Sequence, residues 1–492
     1  MHRSGPPLLL VLLVLAPACK AHVGSPDVYY DAMAGPYHLF VTVRTPQVIP
    51  GIAQIEVRAL DSAVTAIDIV PLRVIGEGSE NAPPPDRMDQ SRSDPQFFTG
   101  KLWLMESGSW QVRLDVLGSE GKSEMAVPVA AFARRTLAMQ RATGAILTVL
   151  MVFLVLSLVS IFGAASRESQ LEAGASAPPE KRRRARFVMG ATAVVILGIL
   201  FLGNLWWDSE VNARVTGMIY KAPPMKAAIV GADQLELKLG FSSWHNDRKQ
   251  EQLVNIIPDH GHLVHLFLVR MPQMDRFYHL HPDQTSADTF TEKLFAVDGG
   301  NYSLFADIVR ESGFPDTMTA QLTLPDLSAN AAIPPSDSDD SAAQVPPVSN
   351  SARNTTAALG DAGKVELLLN GQTLQAQKPV ILRFRVSDNN GQPASDLEPY
   401  MGMAGHLVIV RRDLSVFAHV HPAGSVPMAA VALLENQKSP SGDSMPGMHH
   451  AAVSSEITFP YGFPQPGDYR LFLQVKPGGQ VKTAVFELNV LP

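Results

Sequence analysis

Two uncharged apolar segments divide this chain of 492 residues, and they constrain its architecture more than any other feature. The first, at 143–165, contains GAILTVLMVFLVLSLVSIFGAA, and the second, at 187–207, reads FVMGATAVVILGILFLGNLWW. Each segment is long enough to cross a bilayer as a helix. The pair therefore predicts a transmembrane hairpin, with one large outer segment before it and another after it.

The charges beside these spans predict which side of the membrane each part of the chain occupies. The segment 166–186 carries the basic run KRRRAR, and basic loops next to a span stay cytoplasmic. Residues 1–21 have the layout of a secretory signal peptide, with an apolar run that ends in small residues. We predict a protein of the inner (cytoplasmic) membrane, with the lipid bilayer as a partner and both outer segments periplasmic or extracellular.

The outer segments carry the patterns of β-strands. HLFVTVRTPQVIPGIAQIEVRAL alternates apolar and polar residues around a Pro-Gly turn, as a hairpin does. A glycine, a polar residue and an aromatic open a late strand three times, at Gly108, Gly300 and Gly467. Immunoglobulin-type sandwiches pin a corner with such an aromatic. The fold class predicted is mainly β, with three immunoglobulin-like β-sandwich domains plus a two-helix transmembrane hairpin.

Composition shifts set the boundaries of these domains. The three sandwiches are expected at 22–133, 208–327 and 359–492. The segment 328–358 is rich in Pro, Ser, Ala and Asp without apolar periodicity, which predicts a disordered linker. Inside the third sandwich, a loop that begins at 439 carries the cluster MPGMHH.

Histidines concentrate in two stretches of similar layout. DHGHLVHLFLVRMPQMDRFYHLHP occupies 259–282, and YMGMAGHLVIVRRDLSVFAHVHP occupies 400–422. When the two are aligned, two histidines of the first stretch fall on methionines of the second, and both stretches end in Phe-x-His-x-His-Pro. The candidate metal ligands are His260, His262, His265, His279, His281, Met401, Met403, His406, His419 and His421.

The exchange of His for Met points to a metal, because these two residues share the ability to bind a soft or borderline ion. Imidazoles suit copper(II) or zinc, and thioethers favour copper(I), so copper is the expected cofactor and zinc stays possible. Residues i and i+2 of a strand share a face, which pairs His279 with His281 and His260 with His262. His265 would then face the other way, either as a residue that supports the ligands or as a core residue, unless a bulge turns it. We expect one site in each of the two domains.

Other interpretations of these histidines stay open. The imidazoles at the strand ends can instead form hydrogen bonds with loop backbone and bind no metal. Signal cleavage after Ala21 would place a copper-chelating His22 at the N-terminus, whereas cleavage after Ala18 would not. A net charge of −7 argues against a nucleic-acid partner, and no catalytic motif is present, which leaves an enzyme less expected than a binding protein.

The segments HVGSPDVYYDAMAGPYHLFVTVRTPQVIPG and FFTGKLWLMESGSWQVRLDV resemble the YtkA-like domain of bacterial envelope proteins, which is related in shape to FixH-type and CopC-type proteins. The domains with HLHP and HVHP look like the copper- or heavy-metal-associated sandwich modules that often accompany it. The resemblance implies immunoglobulin-like domains of the cell envelope. Together with the candidate ligands, it leads us to expect a membrane-anchored envelope protein that binds metal, with copper favoured, and hands it to a metal-transfer or oxidase-assembly partner. The alternatives are a structural protein that docks envelope partners through its sandwiches and a copper oxidative enzyme that uses His22.

Overall fold

A computed structural model describes residues 26–60, 63–75, 82–172, 174–240, 256–295, 297–327, 335, 337–349, 353–369, 371–438 and 453–492. Three β-sandwich domains and a pair of long helices make up the described part of the chain. The predicted fold class is therefore confirmed.

The first domain packs two antiparallel sheets face to face, in the orders β1-β2-β3-β7-β6 and β5-β4-β8-β9. Its described strands are β1 Val28–Ala34, β2 Tyr37–Arg44, β3 Gly51–Ala59, β4 Val64–Arg73, β5 Asp86–Arg87, β6 Asp89–Gln90, β7 Phe97–Leu104, β8 Gly108–Gly118 and β9 Gly121–Ala131. Burial alternates along β3, as expected of a strand with one face on the core and one in solvent.

Two helices follow the first domain, and both are long and apolar enough to cross a membrane. They are α1 Arg141–Glu168 and α2 Pro179–Met218. Both extend beyond the predicted spans, so α2 also takes in the basic run of the segment predicted as a cytoplasmic loop. The helices approach closely at Gly163, where a Cβ would lie 2.6 Å from the Met189 side chain.

The second domain also consists of two sheets, in the orders β10-β11-β16-β15 and β12-β17-β13-β14-β19, with β18 paired to β17. Its described strands are β10 Met225–Val230, β11 Gln234–Leu239, β12 Ile256–Ile257, β13 His265–Met271, β14 Arg276–Leu280, β15 Asp283–Gln284, β16 Thr289–Lys293, β17 Gly300–Arg310, β18 Pro315–Leu324 and β19 Ser341–Gln344.

The third domain repeats the plan of the second, in the orders β20-β21-β22-β26 and β23-β27-β24-β25, with β28 paired to β27. Its described strands are β20 Thr356–Ala358, β21 Lys364–Leu367, β22 Pro379–Ser387, β23 Leu397–Glu398, β24 His406–Arg411, β25 Phe417–Val420, β26 Glu456–Gly462, β27 Gly467–Pro477 and β28 Lys482–Val490. A helix that the sequence pattern did not predict, α3 Met428–Lys438, follows β25.

The aromatic that opens a late strand pins a corner in each domain, as the sequence predicted. Trp110 donates to the carbonyl of Glu106 at 2.9 Å. The hydroxyl groups of Tyr302 and Tyr469 donate at 2.7 Å to carbonyls four residues upstream, as in the tyrosine corner of immunoglobulin-like sandwiches.

The prediction of a disordered linker over 328–358 is wrong for part of that segment. β19 pairs with β14 and adds an edge strand to the second domain, with Ser341 opposite His279. Asp340, just before β19, is buried. A strand at the edge of a sheet has unpaired backbone N–H and C=O groups that another segment can bind. Such pairing depends on the tertiary structure, so the composition of the segment does not predict it.

The second and third domains dock through the sheets that carry the repeated histidine stretches. Phe277 stacks on Phe472 at 4.3 Å between ring centroids, and Phe305 stacks on Phe417 at 4.2 Å. The two contacts are equivalent, because the alignment of the repeat places Phe277 on Phe417 and Phe305 on Phe472. An approximate two-fold axis therefore relates the two domains. Because this interface covers the second face of β13 and β24, both strands are almost continuously buried and apolar.

The first domain packs against both of the others. The Asp31 backbone N–H donates to the Ala423 carbonyl at 2.8 Å, and the Tyr29 side chain lies in the core of the third domain. Phe132, before α1, clusters with Tyr220, after α2, and with Phe314 of the second domain. The three domains thus meet beside the two long helices.

Candidate metal centre

The strand ends place three histidines of the second domain on one face. β13 begins at His265, and Phe267, two residues later on the same face, pairs directly with His279 of β14. His281 lies two residues beyond His279. The first triad, His265, His279 and His281, therefore shares a side of the sheet. The expectation that His265 faces away from the other histidines is wrong. Because β13 begins at His265, the alternation of faces starts at this residue and puts its side chain on the same side as that of His279.

The third domain repeats this arrangement. β24 begins at His406, and Val408 pairs with His419 of β25. His421 follows at the end of that strand. These residues form the second triad: His406, His419 and His421.

His260 and His262 lie on a turn rather than on the strand that the sequence analysis assumed. Asp259 and His262 exchange backbone hydrogen bonds of 2.9 and 3.0 Å, and His260 has φ 52°. The third domain has the same turn between Tyr400 and Met403, with Met401 at φ 48°. The two rings therefore lie against different residues, His260 against His421 and His262 against His281.

Each domain contributes one triad, in line with the expectation of one site per domain, and docking of the domains brings the two triads together in one cluster. The ring centroids of His265 and His419 are 5.5 Å apart, and those of His279 and His419 are 5.7 Å apart. His260 of the second domain reaches across the interface, with its ring centroid 4.8 Å from that of His421.

Hydrogen bonds fix the tautomers of two rings in the first triad. Nε2 of His265 lies 3.0 Å from the carbonyl of Asp259, which only accepts, so Nε2 carries the proton and Nδ1 presents its lone pair. Nδ1 of His279 lies 3.0 Å from Oε1 of Gln474. The amide nitrogen of Gln474 donates to Ser341 at 2.6 Å, which orients Oε1 toward the imidazole. His279 therefore presents its Nε2 lone pair.

Asp340 orients the third ring. Its carboxylate accepts hydrogen bonds from the backbone N–H of His281 at 2.9 Å and from Nδ1 of that residue at 3.0 Å. Nε2 of His281 is then the free nitrogen, and it is buried without a hydrogen-bond partner among the described residues. Metal-binding histidines commonly donate their other N–H to a carboxylate or carbonyl in this way.

Two lone pairs face each other in the first triad, because Nδ1 of His265 and Nε2 of His279 are 3.1 Å apart. Two unprotonated nitrogens repel at that distance unless a cation lies between them. Two imidazoles on one tetrahedral ion, each about 2.0 Å from it, have nitrogens roughly 3.3 Å apart. The three ligand atoms of the triad all lie within 4.8 Å of one another, so the triad can hold a metal ion.

The second triad has the same design with longer supporting contacts. Nε2 of His406 donates to the Tyr400 carbonyl at 3.2 Å, and its Nδ1 lies 3.0 Å from Nε2 of His419. Nδ1 of His419 lies 3.6 Å from Asp307 of the second domain, the residue that matches Gln474 in the repeat. Nε2 of His421 is buried, and no group in the described part of the chain forms a hydrogen bond with it. This triad also can hold a metal ion.

Two further groups share a histidine with a triad. His281 also approaches His262 and Asp337, and His421 also approaches Asp259 and His260. In each group the possible ligand atoms lie within 4.8 Å of one another. The cluster thus contains two pairs of overlapping ligand sets, one pair joined at His281 and the other at His421.

A cavity of about 150 Å³ reaches the cluster from the junction of the three domains. Its lining includes His265, His419 and His421, together with Tyr220 at the end of α2. Asp307 also lines it, beside His419.

Burial keeps most of these imidazoles neutral, which is the form that binds a metal. Removal from water lowers the pKa of His260 and His262 below the usual 6.5, and repulsion from neighbouring imidazoles adds to the effect. The same causes hold the pKa well below 6.5 in four fully buried rings: His265, His279, His406 and His421.

These lowered pKa values predict how the stability of the metal-free protein depends on pH. Below about pH 6.5 these histidines bind protons in the unfolded chain but stay neutral in the folded cluster. The free energy of unfolding therefore falls as the pH falls. The slope is about 1.4 kcal/mol per pH unit for each such histidine. Urea unfolding at several pH values between 7.5 and 5 measures it. His406→Gln should reduce the slope, whereas a flat profile in the wild-type protein would contradict the lowered pKa values.

The remaining sequence candidates have mixed outcomes. Met401 is buried and Met403 half-buried on the turn that matches His260–His262, and both stay predicted ligands. His38 pairs with Asp31 inside the first domain. His22 and the MPGMHH cluster lie outside the described residues.

Sequence reasoning missed the residues that orient the imidazoles, chiefly Asp340 and Gln474. The acidic run SDSDDS, at 336–341, was a possible signal, since acidic residues beside a histidine cluster are typical second partners of metal ligands.

Asp340 provides a test of this supporting role. We expect Asp340→Asn to lower metal affinity at the first triad by about 10- to 100-fold, because the neutral amide holds the His281 ring less firmly. Competition with a chelator of known affinity measures the change. Asp283→Asn, an exposed carboxylate of the same domain, should leave the affinity unchanged. Equal affinities in the two variants would remove Asp340 from the site.

Comparisons with known proteins bear mainly on the third domain. A family model described as a domain of unknown function, DUF8832, matches residues 358–491. No curated protein matches the chain.

Solved structures resemble the chain only weakly. An ICAM-5 D1–D4 ectodomain fragment is 8% identical, with 93% of this chain and 77% of that chain covered and a TM-score of 0.16. A putative membrane anchored protein from Corynebacterium diphtheriae is 8% identical, with 95% and 96% covered and a TM-score of 0.15. The alpha-2-macroglobulin of E. coli is 10% identical, with 93% and 25% covered and a TM-score of 0.14.

Proposed function

We propose that this chain is a membrane-anchored protein of the cell envelope that binds metal ions, favours copper, and hands it to a partner. The observation that carries the proposal is the pair of facing triads. In the first, the hydrogen bonds of His265 and His279 leave two lone pairs 3.1 Å apart, a geometry that a cation relieves. The second triad repeats the contact at 3.0 Å.

The donor set favours copper over the alternatives. Imidazoles suit copper(II), zinc and nickel, and the predicted thioether ligands Met401 and Met403 add a preference for copper(I). The lone cysteine, Cys19, cannot supply the thiolates of a structural zinc site of the usual finger type. A copper ion that changes oxidation state would find ligands for both forms in this cluster.

The hairpin supports the proposed location. The backbone N–H of Tyr220, after α2, donates to the carbonyl of Ala133, before α1, at 2.9 Å. Both outer segments therefore lie at the same end of the helix pair. The basic run lies at the other end, and under the positive-inside rule this supports a location of the three domains outside the cytoplasm. This location fits the proposed kinship with YtkA-like and FixH-type proteins and an oxidase-assembly or metal-transfer partner.

Reporter fusions check this topology. A reporter fused after residue 175 is expected to be active in the cytoplasm, and one fused at the C-terminus is expected to be active outside it. The opposite pattern would place the histidine cluster in the cytoplasm and would contradict a role in the cell envelope.

Metal identity is tested by competition on the purified full-length protein. The chain is titrated with copper(I), copper(II) and zinc against chelators of known affinity. We expect copper in both oxidation states to bind more tightly than zinc. A folded protein that competes for none of the three metals would favour the alternative of a structural protein that docks envelope partners.

A further inference from the structure

We propose that Asp337, Asp339 and His262 form an entry site that captures a hydrated divalent cation and passes it through His281 to the first triad. This inference rests on the proposed metal-binding function and adds a loading route. It arises from the acidic run at 336–341, which the sequence predicted to be part of a disordered linker.

The geometry of this site leaves room for an ion. Nδ1 of His262 lies 3.8 Å from an oxygen of Asp337, and Nε2 lies 3.8 Å from an oxygen of Asp339. Both distances are too long for hydrogen bonds. Two ligand atoms that are each about 2.1 Å from one ion can be up to roughly 4.2 Å apart, so one cation can bridge either pair.

The position of the site in the fold suits capture from solvent. The side chain of Asp337 is 35% exposed and that of His262 is 18% exposed, whereas the triad behind them is almost fully buried. Asp339 also contacts Lys476 at 3.3 Å, which leaves the group a net negative charge. Because β19 pairs with β14, the two carboxylates are held at the edge of the strand that carries His279.

His281 connects the entry site with the first triad. Its ring stacks on His262 with centroids 3.9 Å apart, and it belongs to both ligand groups. Its Nε2 is buried and has no hydrogen-bond partner within the part of the chain that the structure describes. An ion held by His262 and Asp337 can therefore bind His281 before it leaves them, so that it is never without protein ligands. Asp340 keeps the His281 ring in place during this exchange.

The test measures the rate of metal uptake by the full-length protein in detergent. Copper(II) or zinc is supplied from a weak chelator, and binding is followed by stopped flow, with the final metal content measured separately. The double variant Asp337→Asn, Asp339→Asn should load the first triad at least about tenfold more slowly, since charge that attracts a cation raises association rates by 10-fold or more. Its final metal content should equal that of the wild type.

A matched control removes two exposed carboxylates elsewhere, Asp89→Asn and Asp283→Asn, and should load at the wild-type rate. A double variant that loads as fast as this control would overturn the entry site. A double variant that ends with one ion fewer would also overturn it, because the carboxylates would then be permanent ligands. A wild-type protein that takes up no metal would instead refute the proposed function itself.

Discussion

Replacing His279 and His281 together with Gln is expected to remove one of two bound metal ions and to lower affinity at the first triad by orders of magnitude. Both rings are buried, so alanine would also leave a cavity, whereas glutamine fills much of the space and remains polar. An amide is a much weaker ligand for copper than an imidazole. The measurement is metal content after dialysis against a weak chelator, with chelator competition for the ion that remains.

The control for this variant is His38→Gln, which removes an imidazole of the first domain that is paired with Asp31. It should keep both ions. The equivalent pair in the other domain, His419→Gln with His421→Gln, should lose the other ion. If the variant with Gln at 279 and 281 retained two ions of wild-type affinity, the first triad would not be a metal site.

The second large effect concerns the interface between the domains. Phe472→Ala is expected to destabilise the protein by about 3–5 kcal/mol, because the ring is fully buried and stacks on Phe277. We also expect it to weaken metal binding at both triads by roughly tenfold, since in each triad one histidine lies beside a polar side chain of the other domain. Those cross-domain partners are Gln474 for His279 and Asp307 for His419.

Phe486→Ala separates the two consequences of this substitution. Phe486 is equally buried but lies in the core of the third domain, with no part in the interface cluster. It should lose similar stability, measured by urea unfolding, and keep the metal affinity of the wild type. If both variants lost metal equally, the weaker binding would reflect general instability rather than the contact between domains.

Local patterns in the sequence were enough to predict the architecture. Alternation and turn residues located the sandwiches, and the corner aromatics Trp110, Tyr302 and Tyr469 make the contacts that their positions predicted. Uncharged length identified the two long helices. These features depend on neighbours within a few residues, which is the information that a single sequence carries.

The site was predicted in its residues but not in its assembly. The repeated motif identified the six histidines of the triads. The two triads come together only because surfaces about 140 residues apart in the chain dock, and the local alternation of residues carries no information about that contact. His260 and His262 were misplaced because a Gly at 261 permits a turn where alternation suggested a strand. Asp340 was missed because its polar segment has no strand pattern, and the pairing of β19 with β14 joins residues far apart in the chain.

The most direct test of the account is the metal content and ligand environment of the purified full-length protein. After copper loading and removal of loosely bound metal, we expect two copper ions per chain, and X-ray absorption should show about three imidazole nitrogens around each. The variant with Gln at 279, 281, 419 and 421 should retain neither ion. A folded wild-type protein that stays free of metal, or copper that is bound equally by that variant, would contradict the account.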